Sequence, residues 1–175
     1  MNFRKAVPAD LAAIAQIYEE IHTEEESGRV SIGWIRGVYP TLQTASAALE
    51  RGDLFVGEED GRIVGAAVIN QLQVDVYEGA PWQYPAEDKE IMVLHTLVIA
   101  PALARSGYGR QFVTFYEEYA RAHGCPCLRM DTNARNTRAR ALYAGLGYAE
   151  IAVVPCVFNG IDGVQLVLLE KMLPR

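Results

Sequence analysis

The chain has 175 residues, of which 50% are hydrophobic and 22% are charged, and this balance is typical of one globular domain with a substantial core. A formal net charge of -6 argues against nucleic-acid binding, which needs clustered Lys and Arg to displace counterions. No apolar run approaches the roughly 20 residues that cross a bilayer, and the first ten residues lack the apolar stretch of a secretory signal, so we expect one cytoplasmic domain over residues 1–175 without membrane partners.

Hydrophobic spacing, together with glycine and proline punctuation, predicts elements in the order β-α-α-β-β-β-α-β-α-β-β. In chain order they are a strand at 2–7, a helix from Pro8, a helix that ends near Gly52, strands at 54–58 and 62–74, a loop at 75–88, a strand at 91–99, a helix that ends near Gly124, a strand at 127–132, a helix at 136–144, and strands at 148–158 and 164–172. Asp60-Gly61 predicts a type I′ hairpin turn. The almost unbroken apolar run at 91–99 is typical of a central strand that is buried on both faces.

The three cysteines and three histidines do not form a disulfide or metal pattern. Cys125, Cys127 and Cys156 match neither an even disulfide framework nor paired C-x-x-C zinc ligands, so we interpret them as reduced core residues. The histidines are scattered without the spacing of a zinc site. We therefore expect no metal cofactor.

A glycine-rich turn links the central strand to the next helix. Gly107 and Gly109 let the backbone approach a ligand, and the helix start supplies unpaired N–H groups and a partial positive charge, which favour phosphate. A dinucleotide fingerprint would need a third glycine at Phe112, and a P-loop would need Lys followed by Ser or Thr after Gly109. Both of these phosphate-binding motifs are therefore excluded. The alternative to a phosphate-binding role is that the glycines permit tight packing of the strand against the helix.

Two motifs in this region carry a resemblance to a known family. The turn from Ala104 to Arg110 resembles the pattern Q/R-x-x-G-x-G/A, and the stretch from Asn136 to Tyr148 resembles N-x-x-A-x-x-L-Y-x-x-x-G-F/Y. Both patterns belong to the Gcn5-related N-acetyltransferase superfamily. The resemblance implies an α/β (α+β) fold with a mixed seven-stranded sheet and about four helices. Ala104 departs from the family's Gln or Arg, which we expect to affect cofactor affinity, with Arg105 or Arg110 as the replacement cation.

The resemblance implies that acetyl-CoA is the cofactor and that its acetyl group moves directly to a primary amine. The residues it implies for acetyl-CoA binding are Leu97, Val98, Ile99, Arg105, Ser106, Gly107, Tyr108, Gly109, Arg110, Asn136 and Tyr143. Main-chain groups at 97–99 would polarise the acetyl carbonyl where the central strand splays from its neighbour. Tyr143 aligns with a family tyrosine that protonates the CoA thiolate. Asn136 aligns with a residue near the pantetheine, and it would also cap the helix that follows.

The general base is open between two residues. His95 stands on the central strand where the family's arylalkylamine acetyltransferases carry a histidine, and an imidazole with a pKa of about 6.5 suits the deprotonation of an ammonium. Asp131 matches the position of an acidic base in the family's ribosomal-protein N-terminal acetyltransferases. Core packing is the structural alternative for His95, and some family members use an ordered water chain instead.

Aromatic and acidic residues in two connecting segments predict the acceptor site. Trp34 and Tyr39 precede the second helix, and Asp75 and Tyr77 precede the central strand; such residues suit a cationic or aromatic amine. Loop anchoring or a dimer interface is the alternative for the aromatics. We expect a small-molecule amine as acceptor, with a peptide or protein amine, or a catalytically silent acyl-CoA sensor, as alternatives. The long C-terminal strands leave a homodimer open.

Overall fold

The computed structural model describes residues 1–174, which contain seven strands and four helices in the order predicted from the sequence. They are β1 (Asn2–Lys5), α1 (Leu11–Glu26), α2 (Leu42–Arg51), β2 (Leu54–Glu59), β3 (Arg62–Asn70), β4 (Ile91–Ile99), α3 (Tyr108–Ala122), β5 (Cys127–Asn133), α4 (Thr137–Ala144), β6 (Ala149–Phe158) and β7 (Ile161–Met172). Short 3-10 turns lie at Pro8–Asp10, Asp75–Tyr77, Asp88–Glu90 and Pro101–Leu103. Within residues 1–174, no helix has the length and apolarity needed to span a membrane.

All seven strands form one mixed sheet in the order β1-β2-β3-β4-β5-β7-β6. β4 and β5 are parallel, and every other neighbouring pair is antiparallel. The parallel pairing ends where Leu94 lies opposite Met130. β4 continues to Ile99 and β5 to Asn133, but these described residues no longer pair with each other. The two strands therefore part at the centre of the sheet.

Helices and the connection before β4 cover the two faces of the sheet and bury the central strand. α3 and α4 pack on one face in a cluster that contains Phe112, and α1 and α2 pack on the other in a cluster that contains Ile14. A third cluster joins β5 to β7 with the connection before β4, and it contains Tyr77. Val93 is 0% exposed and Leu94 is 3% exposed, in clusters on opposite faces. Burial on both faces, as the apolar run predicted, is thus confirmed for this half of β4.

Two hairpin turns have the left-handed geometry of type I′. Asp60 and Gly61 have φ values of 49° and 74°, which confirms the predicted turn between β2 and β3. Asn159 and Gly160 have φ values of 51° and 76° and join β6 to β7. Because these two residues complete the turn, β7 begins at Ile161, three residues before the predicted start.

β3 is shorter than predicted. The sequence predicted a strand at 62–74, whereas β3 ends at Asn70. The side-chain oxygen of Asn70 accepts a hydrogen bond from the N–H of Leu72 at 2.9 Å. Such local side-chain bonds compete with strand pairing, and this one turns the chain out of the sheet. The connection to β4 therefore starts at residue 71.

Candidate functional site

A cavity of about 640 Å³ opens where β4 and β5 part. Its walls come from the end of β4, the start of α3, β5, α4, the β6–β7 hairpin and the segment between α1 and α2. Strands that part leave main-chain groups without a partner strand, and such groups can bind an extended ligand. The cavity joins the three regions that the sequence assigned to the cofactor, at 97–99, 105–110 and 136–143.

A β-bulge bends β4 at the wall of this cavity. The pairing with β3 shifts so that Thr96 and Leu97 together lie opposite one residue, Ala67. Thr96 has a φ of 50°, a conformation that costs a β-branched residue on the order of 1–3 kcal/mol. The hydroxyl of Thr96 is hydrogen-bonded to the hydroxyl of Tyr39, and both residues line the cavity. The segment between α1 and α2 therefore holds the strained bulge through this hydrogen bond.

The start of α3 presents main-chain donors to the cavity. Gly107 caps this helix with a φ of 82° and without a side-chain hydrogen bond. No residue in the described range 1–174 accepts a hydrogen bond from the N–H groups of Tyr108, Gly109 or Arg110. Free donors at a helix start, together with the helix dipole, favour an anion. A Cβ placed on Gly107 would meet no atom within 4 Å, so the approach to these donors is open.

Three arginines on or beside α3 and α4 also line this cavity: Arg105, Arg110 and Arg138. Guanidinium groups bind phosphate oxygens through paired N–H donors, so they extend the anion site of the helix start. Ser106 is not among the lining residues, and its N–H donates to the carbonyl of Leu103 at 3.3 Å. The charges and donors suit a pyrophosphate and the gap between β4 and β5 suits an extended arm, so these residues fit acetyl-CoA.

Asp131 lies on β5 just beyond the last pair with β4, and it lines the cavity. The hydroxyl of Tyr77 donates a hydrogen bond to Oδ2 of Asp131 at 2.8 Å. Burial raises the pKa of the Asp131 carboxyl to about 6, and the hydrogen bond from Tyr77 opposes this rise. A carboxyl group that titrates close to neutral pH is suited to general base chemistry.

Two further phenols, from Tyr39 and Tyr143, line the cavity near Asp131. Burial raises the pKa of Tyr39 to about 12, and burial with the charge of Asp131 raises that of Tyr143. Both phenols are therefore protonated at neutral pH. The Tyr143 hydroxyl forms no hydrogen bond with any of the described residues. It is not among the fully buried polar atoms that lack a partner, and Tyr143 lines the cavity. Its proton is available to a ligand in the cavity.

The structure brings neither His95 nor Asp75 into the cavity. Nε2 of His95 lies 3.1 Å from Oδ1 of Asn70, in a polar cluster with Asp53, and burial lowers the pKa of His95 to about 4. Asp75 begins the 3-10 turn that carries Tyr77. Among the described residues that line the cavity, neither Asp75 nor Tyr77 is present. Tyr77 instead contacts Asp131, and the predicted acceptor residues that do line the cavity are Trp34 and Tyr39.

The β6–β7 hairpin supplies an apolar wall that the sequence analysis did not assign to the site. Its members are Phe158, Ile161, Val164 and Leu166. The only sequence signal for this wall was the β-strand pattern itself, which does not distinguish a cavity wall from a core. Arg138 was also missed, because it occupies an unspecified position of the second motif.

The three cysteines are free thiols outside the cavity wall. Burial raises the pKa of the Cys127 thiol to about 12, so this thiol is protonated at neutral pH. Among residues 1–174, no group of three or more His, Cys, Asp or Glu side chains is placed to hold a metal ion.

Comparison with known sequences identifies relatives of the chain. Residues 12–148 match the sequence model of a family described as the acetyltransferase (GNAT) family. A protein of Bacillus subtilis (strain 168) that is named N-acetyltransferase YhfO is 28% identical over 155 residues, which cover 86% of this chain and 91% of that protein. The family match runs from α1 to Tyr148, the residue before β6, and includes both motifs.

Solved structures share the fold over nearly the whole chain. An acetyltransferase of the GNAT family from Streptococcus agalactiae 2603 has a TM-score of 0.83 at 22% identity, covering 99% of this chain and 96% of that chain. The yncA protein of Salmonella typhimurium, solved with its cofactor acetyl-CoA, has a TM-score of 0.70 at 20% identity, covering 100% and 95%. These likenesses confirm the predicted fold of a mixed seven-stranded sheet with four helices.

Proposed function

Because the chain belongs to the acetyltransferase (GNAT) family, we propose that it transfers the acetyl group of acetyl-CoA to the primary amine of a small molecule. The observation that carries this proposal is a shared cavity. Asp131 and Tyr143, a base candidate and an acid candidate, line the same space as the anion site at Gly107–Arg110. Residues 1–175 act as one domain in this proposal.

The cofactor is assigned to the gap between β4 and β5. The N–H groups at the start of α3, with Arg105, Arg110 and Arg138, would hold the pyrophosphate. Main-chain groups of 97–99, which have no partner strand on the β5 side, would pair with the pantetheine arm and the acetyl carbonyl. When bound, acetyl-CoA supplies the thioester whose acetyl group is transferred.

Asp131 is assigned as the group that receives the acceptor. Its pKa of about 6 leaves the carboxylate mostly ionised at neutral pH, so it attracts an ammonium and takes a proton from it. Of the two protons that the ammonium loses, one leaves through Asp131 to solvent and one ends on the sulfur through Tyr143. Burial keeps the Tyr143 phenol protonated until the thiolate departs. The new C–N bond forms as the C–S bond breaks.

The walls of the acceptor region indicate an amine with an apolar or aromatic body. The apolar and aromatic residues that line the cavity include Trp34, Tyr39, Phe158, Ile161 and Val164. Apolar walls around one carboxylate bind a molecule that carries a single ammonium, whereas a polyamine would leave a second charge against them. Arg29 and Glu24 also line the cavity, but their mutual ion pair at 2.7 Å neutralises both.

The decisive experiment combines calorimetry with acetyl-CoA and thiol release in the presence of arylalkylamines, alkylamines, polyamines, amino acids and short peptides. We expect binding, with fastest turnover on an apolar primary amine. Asp131→Asn should retain binding and lose turnover, while Asp162→Asn, which removes an exposed carboxylate outside the cavity, should retain both. Binding without turnover on any amine would favour an acyl-CoA sensor. Absence of acetyl-CoA binding would overturn the proposal.

A further inference from the structure

We propose that Tyr77 is a positioning residue that holds the carboxylate of Asp131 in one orientation, and that a buried ion pair between Arg129 and Glu170 fixes the loop that carries Tyr77. This inference rests on the proposed role of Asp131 as the base. The loop consists of residues 73–86, between β3 and β4, and we call it the Tyr77 loop.

Tyr77 reaches Asp131 from outside the cavity. Its hydroxyl donates to Oδ2 of Asp131 at 2.8 Å, and its side chain is 3% exposed. Because Tyr77 is not on the cavity wall, an acceptor that enters the cavity does not displace this hydrogen bond. Asp131 thus keeps one oxygen committed to Tyr77 and the other available to the acceptor.

Trp82 holds the backbone of Tyr77 within the loop. The indole N–H of Trp82 donates to the carbonyl of Tyr77 at 3.0 Å. The two rings also pack edge to face, with centroids 5.1 Å apart and an interplanar angle of 69°. Such aromatic pairs contribute beyond the area that they bury. The position of Tyr77 therefore depends on the position of Trp82.

A buried ion pair anchors Trp82 to the sheet. Arg129 on β5 and Glu170 on β7 are paired across the sheet, with Nε 3.2 Å from Oε1 and side chains that are 7% and 0% exposed. The guanidinium of Arg129 lies 4.1 Å from the centroid of the Trp82 ring.

The same pair also binds the main chain and the start of the Tyr77 loop. Oε2 of Glu170 accepts hydrogen bonds from the N–H groups of Gln83 at 2.8 Å and Tyr84 at 3.2 Å. Nη1 of Arg129 donates to the side chain of Gln73 at 2.6 Å. Both ends of the loop are therefore bound to one buried pair, and breaking such a pair leaves an uncompensated charge.

Several titratable groups face Asp131, and Tyr77 is the one that donates a hydrogen bond to its carboxylate. Burial, and to a smaller extent the charge of Asp131, raises the pKa values of Tyr39 and Tyr77, and also those of Tyr143 and Cys156. Of these groups within residues 1–174, Tyr77 is the one whose hydrogen bond lowers the pKa of Asp131 against burial. Removing the Tyr77 hydroxyl should therefore raise that pKa.

The test is Tyr77→Phe in the full chain, with kcat/KM for the acceptor measured as a function of pH. We expect the acidic limb, where activity rises with pH, to move upward by about one pH unit. The dissociation constant for acetyl-CoA should not change. Tyr84→Phe is the matched control, because this phenol lies on the same loop and is 36% exposed. It should leave the acidic limb in place.

A second variant covers the case in which Tyr77→Phe does not fold. Trp82→Phe keeps an aromatic ring but removes the N–H donor to Tyr77, and it should shift the acidic limb in the same direction by a smaller amount. An unshifted limb in the folded variants would overturn the positioning role. If Asp131→Asn keeps the activity and the limb of the original protein, the proposed base fails instead, so the two failures are distinguishable.

Discussion

The hydroxyl of Tyr39 is hydrogen-bonded to the hydroxyl of Thr96, and this contact ties the segment between α1 and α2 to the bulge of β4. Thr96 has a φ of 50°, which a β-branched residue adopts only when its surroundings over-determine it. Tyr39 is one of those surroundings. The main-chain groups proposed to meet the acetyl group follow Thr96 directly, so this hydrogen bond stabilises the geometry of the proposed site.

A double-mutant cycle should detect this coupling. Tyr39→Phe and Thr96→Ala each remove the same hydrogen bond, so their effects on the free energy of unfolding should not add. We expect a coupling of about 1 kcal/mol, measured by urea unfolding of both single variants and the double variant. Tyr39→Phe combined with Tyr84→Phe is the control pair, whose effects should add. Additive effects for Tyr39 and Thr96 would contradict the coupling.

The pH dependence of turnover should report Asp131. The base must be ionised, so kcat/KM for the acceptor should rise as the pH rises through about 6, the pKa of this carboxyl. Asp131→Asn should lower kcat/KM by about 10²- to 10⁴-fold and remove this limb. Initial rates across pH 5 to 9 test both points. If kcat/KM of Asp131→Asn has the same magnitude and the same pH dependence as in the original protein, the titrating group is not Asp131.

The same carboxyl should destabilise the fold at neutral pH. Its pKa is about 6 in the folded chain against an ordinary value of 3.8, so the folded state binds more protons between these values. Stability from this group is therefore lost as the pH rises through this window. Asp131→Asn should be more stable than the original protein by on the order of 2 kcal/mol at pH 7 and nearly equal at pH 4. Urea unfolding at both pH values measures this; an equal difference at both would refute it.

Local signals in the sequence were sufficient for the cofactor side of the site. The apolar run predicted β4 with the bounds Ile91–Ile99 that the structure has. Asn136 was expected to cap the helix behind it, and its side-chain oxygen accepts the N–H of Ala139 at 3.1 Å. Such elements are predictable because their signals lie within a few residues of one another.

The acceptor side depended on features that no local pattern carries. The bulge at Thr96 adds one residue to β4, so alternation along the strand does not predict which side chains reach the cavity. His95 lies two residues after Val93 and therefore on the same face of β4, where its ring contacts Asn70 and does not reach the cavity. Tyr77 and Asp131 are 54 residues apart in sequence, and only the packing of the Tyr77 loop brings them together.

Two glycines with positive φ values allow an effect on acetyl-CoA binding to be distinguished from an effect on stability. Gly107 and Gly163 have φ values of 82° and 69°, and a Cβ on either would meet no atom within 4 Å. Substitution by alanine should therefore cost each about 1 kcal/mol of stability. Gly107→Ala alone should also weaken acetyl-CoA binding, by about tenfold, because its Cβ would occupy part of the open approach to the N–H groups proposed to bind phosphate. Calorimetry measures both constants; equal affinity in the two variants would remove the pyrophosphate from this turn.

Two tyrosines whose rings lie 6.1 Å apart should respond in opposite ways to loss of the hydroxyl. The Tyr148 hydroxyl donates to Glu117 at 3.1 Å, whereas that of Tyr143 has no hydrogen-bond partner among the described residues and lines the cavity. Tyr148→Phe should therefore lower the free energy of unfolding by about 1 kcal/mol and leave kcat unchanged. Tyr143→Phe should leave stability unchanged and lower kcat by about 10²-fold, because the departing thiolate loses its proton donor.

Steady-state rates and urea unfolding of both tyrosine variants complete this comparison. KM for the acceptor should stay the same in Tyr143→Phe, because the proposed interaction forms with the thiolate as it departs and not with the bound amine. Turnover by Tyr143→Phe at the original rate would show that solvent or another group protonates the sulfur. Loss of stability in the same variant would instead indicate that the Tyr143 hydroxyl supports the fold.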